Sequence, residues 1–228
     1  PMIDLLNAND FTPEKEVLDR FELDLEKPIV LFTQHSVTSF VSSAVNQLMP
    51  SLEALARIAR AGGQIIITYP NNDAGGRAIY AELEKFIQTA PTGIQLYQSV
   101  GRKNFHGLLA LAQNYAARIV CAGNSSSGIK ETPALGCPTV NIGTRQKGRL
   151  RADNVIDTDY DAESIERALL KGLYDPEFRR ICRSCSNPYG QGDAGKNIAN
   201  VVADIPINDQ LLVKRMTLKG KSQDGWFK

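Results

Sequence analysis

Three short, unbroken apolar runs limit the possible fold more than anything else in the chain: residues 29–32, 65–67 and 119–122. Each falls well short of the roughly 18 residues needed to cross a bilayer. None shows the apolar–polar alternation of a strand with one wet face. Runs of this kind are buried on both faces, as in a parallel sheet covered by helices. Segments with helical spacing stand between them. Val41, Val45, Leu48, Leu52, Leu55 and Ile58 fall on one side of a long helical region, in which Pro50 should produce a kink or a split. Ile79, Leu83, Phe86 and Ile87 mark a second helix, with Asp73 as its N-cap. Phe105, Leu108, Leu109 and Ala112 mark a third, over about residues 104–117. Three further strands fit residues 94–97, 139–142 and 154–157, and helices over 161–173, 176–185 and about 194–203 close the domain. The expected fold class is α/β, a doubly wound parallel sheet of about six strands, Rossmann-like.

Composition excludes several classes of function. With 228 residues and a net charge of +1, the chain has no basic field that would argue for nucleic acid or a membrane surface as partner. Cys121 and Cys137 lie in or beside apolar runs and read as small core residues. Cys182 and Cys185 form a single CxxC in a helical segment, with no second pair and no nearby histidine, and ordinary helix packing is the expected use. No metal or other cofactor is implied, and free thiols suit a reduced, cytoplasmic protein. Residues 1–27 read as a connector rather than a core element, helical around 13–21, and the first residue, a proline, suggests that an upstream portion is missing. Residues 28–207 form the domain, and 208–228 are a basic tail.

Open α/β sheets bind ligands outside the carboxyl ends of their strands, and the unusual residues collect at those ends. His35 follows the first strand, Asn71 to Asp73 the second, Ser125-Ser126-Ser127 the fourth and Arg145 the fifth. The Gly123–Gly128 turn, between an apolar strand and a helix, would aim backbone N–H groups and hydroxyls at a phosphate. It would also serve as an ordinary strand-to-helix turn with serine as N-cap. Glu131, about one helical turn further on, could accept bonds from both ribose hydroxyls. A nucleoside diphosphate would satisfy both ends. His35 could stabilise a departing diphosphate, transfer a proton, or bond the local backbone, the last being the expectation for His106. Arg145 could pair with phosphate oxygens or lie in solvent. With neither G-x-G-x-x-G after the first strand nor a Walker A motif in the sequence, NAD, FAD and the usual ATPase chemistry are disfavoured.

Taken together, these loops resemble the UDP-N-acetylglucosamine 2-epimerases of the hydrolysing branch. The motifs that carry the resemblance are Gln34-His35-Ser36-Val37-Thr38, Tyr69-Pro70-Asn71-Asn72-Asp73-Ala74-Gly75 and Gly123-Asn124-Ser125-Ser126-Ser127-Gly128-Ile129-Lys130-Glu131. Gly136-Cys137-Pro138, Gly143-Thr144-Arg145-Gln146 and Asn187-Pro188-Tyr189-Gly190 continue the pattern. Ser-Val-Thr stands after His35 where the non-hydrolysing branch has Arg-Arg-Glu. The resemblance implies one half, the carboxyl-terminal one, of a two-domain GT-B fold. It further implies that Ser125 and Ser126 hold the diphosphate of UDP, Glu131 the ribose and the backbone near Val100 the uracil. Asn71 and Arg145 would line the same pocket, and His35 would be catalytic, facing the diphosphate. The implied reaction eliminates UDP to a 2-acetamidoglucal and hydrates it to N-acetylmannosamine, a sialic acid precursor; 2,4-diacetamido sugars also fall within the branch. A GT-B glycosyltransferase is the alternative. The implied partners are a UDP-sugar substrate, the amino-terminal half that carries the catalytic carboxylates and, as one arrangement, a second copy in a homo-oligomer. Without that half the chain is expected to bind UDP weakly and to turn over little or nothing.

Overall fold

The computed structural model describes residues 2–212, which divide into two compact units, one ending at Gly192 and one beginning at Asp193. The first unit is built on a six-stranded, wholly parallel sheet in the order β3-β2-β1-β4-β5-β6. Its strands are β1 (Ile29–Thr33), β2 (Gln64–Thr68), β3 (Ile94–Tyr97), β4 (Ile119–Gly123), β5 (Thr139–Ile142) and β6 (Val155–Thr158). The helices are α1 (Met2–Asn7), α2 (Glu14–Phe21), α3 (Ala44–Arg60), α4 (Gly76–Thr89), α5 (Arg102–Ala110), α6 (Ser127–Lys130), α7 (Ala162–Tyr174) and α8 (Pro176–Ser184). Chain order reverses between β1 and β4, which pair in register from Ile29↔Ile119 to Thr33↔Gly123. This is the switch point of a doubly wound sheet, where the loops leaving two neighbouring strands part to opposite faces and open a crevice.

Both faces of the central strands are covered, which explains the unbroken apolar runs. Val30 and Phe32 join one core layer with Leu48, Leu55 and Leu169, and Ile29 and Leu31 join the other with Val17, Leu108 and Leu109. The second layer takes in part of residues 1–27, which the sequence suggested as a connector rather than a core element. Leu6, Val17, Phe21 and Leu23 are buried in it, because Val17 and Phe21, four apart on α2, present one apolar side to the sheet.

Other expectations also shift. Pro50 does not split α3, which runs unbroken from Ala44 to Arg60. The buried Gln34 side chain donates to the Gln47 carbonyl at 2.8 Å and accepts from the Ser51 hydroxyl at 2.7 Å, tying β1's loop to the proline turn. Val41 is exposed in a 3-10 stretch ahead of α3 rather than on its buried side. Cys121, Cys137 and Cys182 are buried in the core, and Cys185 lies in extended backbone beyond the end of α8. Helix α9 (Ala194–Asp204), expected to close the sheet domain, belongs to the second unit and has no buried residue. A short helix, α10 (Asp209–Leu212), follows it, and the tail beyond residue 212 lies outside the described residues. Among the described residues no helix is long and apolar enough to cross a membrane.

Candidate functional site

The crevice at the switch point is assembled by the loops after β1, β2, β4 and β5. Strands β1 and β4 approach so closely at their ends that a Cβ on Gly123 (φ +116°) would lie 2.0 Å from the Thr33 carbonyl oxygen. Just beyond, Asn124 is almost wholly buried. Its Oδ1 accepts from the His35 N–H at 2.7 Å and its Nδ2 donates to the His35 carbonyl at 2.8 Å. One side chain therefore fixes the His35 backbone in both directions. The Asn124 carbonyl in turn accepts from Gln146 Nε2 at 2.7 Å and from Arg145 Nη1 at 3.2 Å. Asn124 thus joins three loops. Asn124→Ala removes a pair of well-placed bonds and should destabilise the unit by about 2 kcal/mol; urea unfolding measures it.

His35 is held by its ring as well. The Asn71 N–H donates to His35 Nδ1 at 3.0 Å. An N–H can bond only an unprotonated ring nitrogen, so the imidazole is neutral with its proton on Nε2. The His35 pKa is pushed down to about 4, by burial first and by the nearby Arg145 guanidinium second, with Asp73 opposing both. Asn71 contributes through its backbone, while its side chain donates to Asp73 Oδ2 at 2.7 Å. Asp73 does not cap α4, whose N-cap is Gly75 in a left-handed conformation. It faces Arg145 instead, Nη2 to Oδ2 at 3.4 Å. Arg145 is therefore drawn across the crevice by the β2 and β4 loops rather than lying free in solvent.

The serine turn keeps its donors free. Ser126 occupies the N-cap of α6 without a side-chain capping bond, and the Ser125 hydroxyl accepts from the Ser127 N–H only at 3.4 Å. Among the described residues the N–H groups of Ser125 and Ser126 meet no acceptor. The helix expected here is a single turn followed by a 3-10 turn that contains Pro133, so its macrodipole is small. Local donors matter more than the helix. The turn separates two clefts. One, of about 290 Å³, is lined by Tyr69, Val100, Phe105, His106, Ser127 and Glu131. The other, of about 640 Å³, has Ser36, Asp73, Ser126 and the cations Arg145, Lys147 and Arg149 on its walls.

Within the smaller cleft Glu131 is buried, accepting from the Ser127 hydroxyl at 3.1 Å and bonding His106 Nε2 at 2.9 Å. His106 therefore bonds a side chain from another element, not the local backbone. The structure thus divides the expected residues into two groups. Val100 and Glu131 share one cleft, Ser126 and Arg145 the other, with Ser125 in the turn between them and His35 beside Asn71. Sequence reasoning gave no role to Asn124, Gln146 or the His106–Glu131 bond. An amide side chain directly after an apolar strand was the available signal for Asn124. The His106 bond gave none, since its partner lies 25 residues away.

A sequence model of the UDP-N-acetylglucosamine 2-epimerase family matches residues 1–203. The UDP-N,N'-diacetylbacillosamine 2-epimerase (hydrolyzing) of Legionella pneumophila is 31% identical over 195 residues, which are 86% of this chain and 48% of that protein. The GDP/UDP-N,N'-diacetylbacillosamine 2-epimerase (hydrolyzing) of Campylobacter jejuni is 31% identical over 77% of this chain and 43% of its own length. The chain spans about half the length of the curated relatives it matches. Among solved structures, the Methanocaldococcus jannaschii UDP-GlcNAc 2-epimerase in complex with UDP-GlcNAc and UDP superposes with a TM-score of 0.63 at 17% identity, covering 89% of this chain and 52% of that one. The Neisseria meningitidis UDP-GlcNAc 2-epimerase bound to UDP-GlcNAc gives 0.62 at 16% identity, over 83% and 48%. At such identities these likenesses speak for the fold.

Proposed function

The chain belongs to the UDP-N-acetylglucosamine 2-epimerase family, and from that premise we propose that it is the UDP-binding, carboxyl-terminal half of a hydrolysing 2-epimerase. The observation that carries the reading is the serine turn with its free N–H groups, set between a cleft ending at Glu131 and a cleft walled by Arg145. A UDP-sugar laid across it has its uracil at the Val100 backbone and its ribose hydroxyls at Glu131. The diphosphate lies over Ser125 and Ser126, and the sugar enters the larger cleft. The sugar is N-acetylglucosamine or a 2,4-diacetamido relative, and the catalytic carboxylates come from the amino-terminal half.

Elimination breaks the bond from the anomeric carbon to the β-phosphate oxygen and leaves the bonding pair on UDP. The proton at the sugar's C2 passes to a carboxylate of the other half. Water then adds across the double bond of the glycal to give the 2-epimer as the free sugar. The present residues meet the charge that develops on the leaving diphosphate: His35 donates from Nε2, Arg145 supplies positive charge, and the turn supplies N–H groups already in place. Because the diphosphate leaves as an anion, His35 need not give up its proton.

Calorimetric titration with UDP, against ADP and NAD, tests the reading. UDP-selective binding is expected, weakened about ten- to hundredfold by Ser125→Ala and by Glu131→Ala, since each removes a bond to a charged group. Adding the amino-terminal half in trans should restore release of free sugar. Selective UDP binding that neither substitution weakens would sink the assignment.

A further inference from the structure

His106 is the buried titratable group for which the reading above has no use. It lies on α5, 1% exposed, with Nε2 on Glu131 Oε2 at 2.9 Å and its Nδ1 buried without a partner among the described residues. A bond to a carboxylate makes Nε2 the donor. Stability alone does not account for the arrangement. A buried carboxylate costs free energy to desolvate and the second ring nitrogen goes unsatisfied, whereas an apolar pair of similar volume would avoid both costs.

Its placement supports a different purpose. Helix α5 is clamped by the segment between α1 and α2: Arg102 pairs with Asp10 at 2.6 Å, and Thr12 bonds the Lys103 carbonyl at 3.1 Å and the Asn104 side chain at 2.7 Å. Gly107, next to His106, packs so tightly that an added Cβ would lie 2.4 Å from the Thr12 carbonyl oxygen. The imidazole thus projects from a fixed helix onto one Glu131 oxygen, while Ser127 donates to the other at 3.1 Å. Glu131 is the C-cap of a one-turn helix, and among the described residues these are the two bonds its carboxylate makes. A carboxylate offers about four lone-pair positions, so one on each oxygen is left for the cleft.

We propose that His106 is a positioning residue: with Ser127 it fixes the Glu131 carboxylate so that its two free lone pairs face the two ribose hydroxyls of the bound nucleotide. This rests on the UDP-binding reading. A buried histidine in the wall of the cleft thereby acts on a ligand that it does not touch.

NMR shift titration follows even weak binding and compares UDP with 2′,3′-dideoxyuridine diphosphate, which lacks both hydroxyls. His106→Phe should weaken UDP about tenfold, the size of one bond to a charged group, and leave the dideoxy ligand within about twofold. His106→Gln, whose amide donates from a similar position, should recover most of the loss. Thermal unfolding checks that both variants are folded. An equal loss on both ligands, or no loss on UDP, overturns the inference and leaves the UDP reading standing. A wild-type chain without UDP-selective binding, alone and with the amino-terminal half, overturns both.

Discussion

Gly123→Ala should destabilise the sheet unit by at least about 4 kcal/mol, enough to leave a marginally stable domain largely unfolded. Two costs combine. The φ of +116° lies where L side chains are strained, worth about 1–3 kcal/mol. The new methyl would also stand 2.0 Å from the Thr33 carbonyl oxygen, a backbone atom that cannot swing aside. For β4 to retreat, the Thr33–Gly123 register and the Asn124 clamp on His35 would have to give way with it. Gly148→Ala separates the two costs. Its φ of +83° is also left-handed, yet nothing lies within 4 Å of the added Cβ, so only about 1–3 kcal/mol of strain applies. Urea unfolding of both variants measures the difference. Equal losses at the two positions would mean that the β1 and β4 ends are not in close contact.

The same closeness explains what could be read from the sequence. Parallel strands buried on both faces leave unbroken apolar runs, so the sheet was legible at residues 29–32, 65–67 and 119–122, and the site loops followed from the strand ends. Interactions decided by tertiary partners were not. Asp73 has the chemistry of an N-cap, but a left-handed glycine starts α4 and Arg145 lies within reach of the freed carboxylate. Pro50 should break a helix, but Gln34, directly after β1, ties the proline turn to the β1 loop. Residues 2–27 carry mixed charge and little pattern beyond Val17 and Phe21, yet they clamp α5 and so hold His106 on Glu131. Local pattern finds elements and loops. It does not find which buried polar group meets which.

His35 should make the sheet unit lose stability as the pH falls, and the sign follows from its surroundings. The folded pKa is about 4 against the ordinary 6.5, so below about pH 6.5 the unfolded chain takes up a proton that the native imidazole refuses. The stabilisation is fully present above the unfolded pKa and is lost as the pH falls toward the folded one. The loss from this residue is about 2 kcal/mol between about pH 7.5 and pH 5, and about 3 kcal/mol once the pH passes the folded pKa. Urea unfolding of wild type and His35→Asn isolates it, since asparagine offers the Asn71 N–H an acceptor without titrating there. The wild type should lose about 2 kcal/mol more than the variant over that interval, whereas equal slopes would mean that His35 titrates normally. The result bears on chemistry as well as stability. An imidazole that accepts on Nδ1 from a backbone N–H can serve a departing diphosphate at neutral pH only as a neutral donor through Nε2, which leaves the positive charge to Arg145. An imidazolium would instead have to break the Asn71 bond, and the pH profile of unfolding would report that cost directly.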